Sequence, residues 1–243
     1  MKKILYIGNS FSEDATRYLQ AIADGELYVR NINIGGCSLE RHAHNVEGDI
    51  AEYALQEDAG APIRSISVRE ALCMEKWDVV SIQQVSGYSG LIETYEPYIS
   101  ILIDEIKRHA PGAKIVFHRT WAYDTVSSHP DFVRYGNDME RMFSMICEAT
   151  GAIAEKHSLP IIPAGNAVQM ARELDEFRIG EGKYSLTRDS FHLSLDYGRY
   201  LAGLVHYVFH TGKSATRVKF YPDGCDLAAV EKLREIADKA FEK

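Results

Sequence analysis

The chain opens on a short apolar run, Ile4-Leu5-Tyr6-Ile7, that stops abruptly at Gly8-Asn9-Ser10. A run of that length bounded by glycine predicts a buried strand. Ser12, followed by Glu13 and Asp14, reads as the cap of a helix whose first turn is acidic and whose inner face is Ala15, Leu19 and Ile22. Residues 27–34 alternate through Leu27 and Val29 and end at Gly35-Gly36, a second strand. Further buried strands are expected over 77–82, 113–118 and 159–162. Helical spacing marks 95–109, through Ile99, Leu102, Ile103 and Ile106, and 135–156, through Met139, Met142, Phe143 and Ile146. Helices also close the chain over 164–174, 195–210 and 227–241. Residues 37–75 carry the weakest pattern: helices are expected over 50–56 and 67–74, and the polar stretch His42-Ala43-His44-Asn45 as a solvated loop.

Strand and helix in alternation imply an α/β fold, a parallel sheet covered on both faces. At 243 residues with no linker-like stretch, the chain reads as one domain. No internal repeat interrupts the pattern.

Charge narrows the partners. With 27 basic against 35 acidic side chains and no basic run, nucleic acid is not an expected partner. No stretch approaches the ~18–20 apolar residues of a membrane span. Lys2-Lys3 and the apolar residues after them imitate a signal peptide, but the run stops too soon and reads as strand. Four scattered cysteines, Cys37, Cys73, Cys147 and Cys225, form no C-x-x-C pair and read as free thiols in a reducing compartment. The expected location is therefore cytoplasmic, or secreted or periplasmic if a signal peptide has been removed. His42 and His44 have no carboxylate in metal-ligand register, so no metal site is expected there.

The chemistry gathers at the strand ends, where an open parallel sheet displays its reactive groups. Ser10 follows the first strand. A serine hydroxyl needs a base, and an imidazole base needs an acceptor that fixes its tautomer and stabilises its charged form. Asp189 and His192, three residues apart in the loop Arg188-Asp189-Ser190-Phe191-His192, can supply both. The triad order along the chain is then Ser, Asp, His. Dinucleotide and P-loop glycine patterns are absent, and Glu13 and Asp14 put negative charge where a phosphate would sit.

Gly8-Asn9-Ser10 near the N-terminus and Asp189-Ser190-Phe191-His192 near the C-terminus resemble the first and last blocks of the SGNH hydrolases, the GDSL-like esterase and lipase superfamily. With Gly35-Gly36-Cys37-Ser38-Leu39-Glu40, Gln83-Gln84-Val85-Ser86 and Thr120-Trp121-Ala122-Tyr123, the sequence looks like a bacterial branch of that superfamily. The resemblance implies a three-layer α/β/α, flavodoxin-like fold over residues 1–243, with a five-stranded parallel sheet in order 2-1-3-4-5. It also implies an oxyanion hole built from the Ser10 N–H, a glycine N–H, for which Gly36 is the choice, and a side-chain amide from the third block. That block usually reads G-x-N-D. Here it offers glutamines, so Gln84, or Gln83 on the opposite strand face, is the candidate amide.

Beyond the triad, Tyr88, His118, Trp121 and Tyr123 are candidate pocket residues, and Trp121 suits a sugar ring as well as it suits a core. The expected function is hydrolysis of a small acyl ester, acetyl above all, on a carbohydrate, through an acyl-enzyme and without cofactor or metal. Two alternatives stand beside it: a carbohydrate-binding or regulatory protein that has lost catalysis on this fold, and an O-acyltransferase. Nothing in the sequence indicates an oligomeric state.

Overall fold

The computed structural model describes residues 1–57, 60 and 62–242. Five strands run parallel: β1 (Lys2–Gly8), β2 (Leu27–Asn33), β5 (Val79–Ile82), β6 (Lys114–His118) and β7 (Ile161–Ile162). Two more, β3 (Tyr53–Glu57) and β4 (Pro62–Ile66), pair antiparallel outside β2, so the described sheet reads β4-β3-β2-β1-β5-β6-β7. Counted among themselves in chain order, the parallel strands stand as 2-1-3-4-5, the expected order with an antiparallel extension at one edge. That outer strand, β4, begins with proline and exposes most of its residues, which discourages pairing with another sheet.

Register positions the functional end of the sheet. Gly8 is level with Asn33 across β1 and β2, and Ile7 with Ile82 across β1 and β5. The carboxyl ends of three adjacent strands therefore release Asn9-Ser10, Ile34-Gly35-Gly36 and Gln83-Gln84 at one height.

Alternation within β1 divides the core. Ile4 and Tyr6 enter one apolar cluster and Leu5 and Ile7 another, as period-2 geometry requires of a strand buried on both faces. The first face is covered by α1 (Ser10–Thr16), α2 (Leu19–Ala23), α7 (Ala164–Arg172), α8 (Tyr197–Thr211) and α9 (Leu227–Lys239). The second is covered by α3 (Leu39–Glu47), α4 (Val68–Cys73) and α5 (Tyr98–His109). The long α6 (Met139–His157) gives Met142 and Ile146 to the first cluster and Ala149 and Ile153 to the second. No helix among the described residues is long and apolar enough to cross a membrane.

Two expectations in the weakly patterned stretch need correction. Residues 53–56, expected as helix, lie in β3; Tyr53 and Leu55 alternate inward, and pairing with β2 satisfies a sheet edge that a helix would have left open. The His42–Asn45 stretch is not a solvated loop but part of α3. Ser38 caps that helix, and Leu39, His42, Ala43 and Val46 form its inner face. His42 Nδ1 lies 2.8 Å from the Tyr53 hydroxyl, and the two rings stack with centroids 5.6 Å apart.

Histidine is unusually frequent in this interior. On the opposite face, Tyr6 Oη lies 2.8 Å from both His206 Nδ1 and His210 Nε2, and the His206 ring meets His118 edge-on at 4.7 Å. Burial holds His42, His118 and His210 neutral down to about pH 3, against an ordinary value of 6.5, and pushes His206 well below that value too. The unfolded chain binds these protons near pH 6.5, whereas the native chain binds those of His42, His118 and His210 only near 3 and that of His206 only well below 6.5. Native stability is therefore complete above pH 6.5 and is lost as pH falls from there toward 3, at up to about 1.4 kcal/mol per pH unit for each histidine. Urea unfolding at a series of pH values is expected to show this fall, and His42→Gln is expected to make it shallower by about one proton.

Candidate active site

The turn that carries Ser10 is fixed by Asn9. Its backbone is extended and its Oδ1 accepts from Phe11 N at 3.0 Å, so Asn9, rather than Ser12, caps α1. The same Oδ1 accepts from Gln83 Nε2 at 2.8 Å, while Asn9 Nδ2 donates to Cys37 O at 3.0 Å. One side chain thus joins the loops after β1, β2 and β5. Ser12 is buried, with its hydroxyl 2.8 Å from Asn9 O and 3.0 Å from Asn31 Oδ1. Gly8 is required where strand folds sharply into helix, since a Cβ there would lie 2.5 Å from Ser12 Oγ. Ser10, the first residue of α1, is left half-buried at the sheet's carboxyl end.

His192 arrives from a tight loop. Thr187 and Leu193 bridge antiparallel, and Arg188 N donates to His192 O at 3.0 Å. Within it, Asp189 Oδ1 accepts from His192 N at 2.7 Å, and its Oδ2 lies 2.7 Å from His192 Nδ1. His192 Nε2 lies 2.9 Å from Ser10 Oγ. A carboxylate on Nδ1 assigns the ring proton there and leaves Nε2 as the acceptor for the serine proton. Burial pushes the Asp189 carboxyl up, but hydrogen bonds from the His192 ring and backbone, with the imidazolium charge, outweigh it and hold Asp189 below the ordinary carboxylate value.

Asp14, one turn beyond Ser10 on α1, fastens this loop to the helix that carries Ser10. Its carboxylate is 1% exposed and accepts from Arg188 Nη1 at 3.0 Å, Arg199 Nε at 2.8 Å and Leu193 N at 3.0 Å. Arg188 Nη1 also donates to Leu193 O. Both ends of the Asp189–His192 segment are therefore held to α1, and the carboxylate expected merely to charge the helix start is a structural anchor.

Ile34-Gly35-Gly36-Cys37 forms a β-turn closed by Cys37 N donating to Ile34 O at 3.1 Å, with Gly36 at φ +64°, the left-handed region that favours glycine. The Gly36 N–H has no acceptor among the described residues. Gly36, Ser10 and His192 share a cleft of about 380 Å³ with Val85, Ser86, Tyr123, His129 and Phe191. Another recess, about 410 Å³ and lined by Arg172, Phe177 and Lys183, includes neither Ser10 nor His192.

Several expected site residues lie elsewhere. Gln84 Oε1 accepts from Leu39 N and Val85 N at 2.9 and 2.8 Å, and its Nε2 donates to Thr94 O and Oγ1 at 3.0 and 3.1 Å. Gln83 is buried between Asn9 and His118, its Oε1 2.9 Å from His118 Nδ1. Neither glutamine lines the cleft, because both carboxamides hold loops in place. His118 is buried behind Gln83. Trp121 is fully buried, stacked on Phe11 at 4.3 Å and donating from Nε1 to Phe191 O at 2.7 Å, so it supports the site from beneath rather than meeting a sugar. Tyr88 lies outside the cleft lining and faces the Arg134 guanidinium at 5.1 Å.

Ser86 and His129 line the cleft but were not singled out from sequence. His129 packs on Tyr123 and Phe191 with ring centroids 4.6 and 4.8 Å apart, and its Nδ1 accepts from Asp131 N at 3.2 Å. The capping pattern His129-Pro130-Asp131 was its only local signal. Burial and the nearby His192 push His129 below the ordinary histidine value, against Asp131 and Asp189. All four cysteines are free, and no cluster of metal-ligating side chains occurs among the described residues.

A family model described as a domain of unknown function, DUF4886, matches residues 3–240. The chain belongs to the DUF4886 family. A crystal structure of a DUF4886 family protein from Bacteroides uniformis is similar to it at 33% identity and a TM-score of 0.90, over 98% of this chain and 94% of that one. A protein from Slackia heliotrinireducens proposed to be an SGNH hydrolase matches at 23% identity and a TM-score of 0.58, over 85% of this chain and 97% of that one. An acetyl xylan esterase, AlAXEase, matches at 14% identity and a TM-score of 0.52, over 85% and 98% of the two chains. This DUF4886 protein thus has the SGNH hydrolase fold. A search of curated proteins returns no match.

Asp14→Ala in this DUF4886 protein removes the acceptor shared by two arginines and the Leu193 N–H. A loss of about 3 kcal/mol in unfolding free energy is expected, since breaking a buried ion pair strands its partners. Amide exchange at His192 and Leu193 is expected to quicken by more than at β1, which a purely global destabilisation would not produce.

Proposed function

We propose that this DUF4886 protein is a serine esterase that removes a small acyl group, acetyl above all, from a carbohydrate. The relay Ser10 Oγ–His192 Nε2 at 2.9 Å and His192 Nδ1–Asp189 Oδ2 at 2.7 Å carries the reading. A serine hydroxyl is seldom supplied with a correctly oriented base, and that base with its own acceptor, unless the hydroxyl is to be activated.

In the proposed reaction, Ser10 Oγ attacks the ester carbonyl as its proton passes to His192 Nε2. The imidazolium is stabilised by Asp189, and the developing oxyanion is met by the N–H groups of Ser10 and Gly36. Collapse expels the alcohol, which takes the proton back from His192. Water then attacks the acyl-enzyme by the same route, with His192 again as base, and releases the acid and free Ser10. Acyl transfer to another alcohol would use the same intermediate. The cleft of about 380 Å³, lined by Phe191, His129 and Val85, is of a size that suits a small acyl group, and an acetyl xylan esterase shares the fold.

A panel of 4-nitrophenyl acetate, butyrate and octanoate with acetylated xylo- and glucosaccharides tests the proposal. Acetyl esters are expected to turn over fastest. Ser10→Ala is expected to lower turnover by about 10⁴-fold or more, and Asp189→Asn by about 10²- to 10⁴-fold. Equal turnover by wild type and Ser10→Ala would overturn it, and sugar binding without turnover would point to a non-catalytic role.

A further inference from the structure

With the glutamine carboxamides held by Asn9, Thr94, Leu39 and Val85, the loop after β5 has another group to present to the cleft. Ser86 lies two residues beyond Gln84, is 6% exposed, and lines the cleft with Ser10 and Gly36. Its Oγ lies 2.9 Å from the Tyr123 hydroxyl.

Two hydroxyls sharing one contact leave one proton over, and burial decides which. Tyr123 is fully buried, and Ser86 is the only hydrogen-bond partner of its hydroxyl among the described residues. Were Ser86 the donor, the phenol proton would be buried without an acceptor, which is the costlier arrangement. With Tyr123 as donor, the phenol is satisfied and the Ser86 proton remains free on a residue facing the cleft. Burial pushes the Tyr123 phenol above its ordinary range, so that it keeps the proton it donates.

The loop is held rigidly. Ser89 Oγ donates to Val85 O at 3.0 Å, Tyr135 Oη donates to Gly87 O at 3.0 Å, and Tyr95 Oη donates to Ser89 O at 2.6 Å. Gly87 packs so closely on Asp131 that a Cβ would lie 2.3 Å from its Oδ2. A donor fixed before reaction requires little reorganisation as charge develops, which is what makes such groups effective.

We propose that the Ser86 hydroxyl, oriented by Tyr123, is the third donor to the oxyanion, in place of a side-chain amide. This rests on the esterase reading above. Tyr123 acts through Ser86 and is a positioning residue.

The test measures acetyl ester hydrolysis and inhibition by methylboronic acid, whose tetrahedral adduct on Ser10 places an oxygen where the oxyanion forms. Ser86→Ala is expected to lower kcat by about 10²-fold with KM changed less than about threefold, and to weaken the boronate in proportion. Ser86→Thr, which keeps a hydroxyl, is expected to retain activity within about tenfold. Tyr123→Phe is expected to lose about three- to tenfold in kcat. Ser86→Cys, of similar size but a weak donor, replaces Ser86→Ala should the alanine variant fail to fold. Wild-type turnover that depends on Ser10 but survives Ser86→Ala and Ser86→Cys within about twofold overturns this inference alone. Equal losses in Ser86→Ala and Ser86→Thr overturn it as well, since they indicate packing. Wild-type turnover indifferent to Ser10→Ala overturns the esterase reading with it.

Discussion

The Asp14 carboxylate is the constraint on which the site depends. Ser10 and His192 come from opposite ends of the chain, one on a helix and one in a loop, yet Ser10 Oγ and His192 Nε2 meet at 2.9 Å. Burying a lone carboxylate would cost several kcal/mol. Asp14 is instead surrounded by Arg188, Arg199 and the Leu193 N–H, and two of these belong to the residues flanking the Asp189–His192 segment. Burial turns the ion pair into a positional device: the loop cannot leave α1 without stranding charge. Gly198 reinforces it from α8, where its Cα approaches so near that a Cβ would lie 2.1 Å from Leu186 O, at the foot of the same loop.

The opposite wall of the cleft is held by neutral groups. Asn9 binds both the Cys37 carbonyl after the glycine turn and the Gln83 amide after β5, and Gln84 ties that loop to the Leu39 N–H at the start of α3. Carboxamides suit this work because each can donate and accept at once without the desolvation cost of a charge. The loops carrying Ser10, Gly36 and Ser86 are consequently cross-linked, and the site needs little rearrangement on binding. Its rigidity comes from side chains at the ends of strands whose register places them level.

That Ser10, Asp189 and His192 meet in space was legible because each has a local signal: a strand stopped by Gly8-Asn9, and a carboxylate and imidazole at a spacing one turn can close. The parallel sheet was legible from its buried runs. Tyr53-Ala54-Leu55-Gln56 was not, since four residues fit helix and strand equally until the open edge of β2 decides. His42 misled because polarity was taken for exposure, whereas the capped period of α3 turns it inward to meet Tyr53. The glutamines misled in a different way. They were expected to donate to an oxyanion, but their amides are taken by acceptors that are not adjacent in sequence, at Asn9 and Thr94, and no local pattern reveals that engagement. Trp121 shows the same limit, for an aromatic after a strand points to pocket or core according to what packs above it, here Phe11.

The two carboxylates of the site divide the labour by burial. The Asp14 side chain is 1% exposed and the Asp189 side chain 41%. The field of a carboxylate as open as Asp189 is screened by water and salt, so electrostatic attraction alone would orient the imidazole weakly. Geometry compensates. One oxygen holds the His192 backbone N–H and the other the ring Nδ1, so the carboxylate grips the same residue twice. Rotating the ring away from Ser10 then breaks the second bond while the first keeps the carboxylate in place, and the ring returns to the same acceptor. Orientation at Asp189 is thus local and tolerant of solvent, while the distance from His192 to Ser10 is set by the buried contacts of Asp14. An exposed orienting carboxylate is workable here only because a buried one has already fixed where the loop lies.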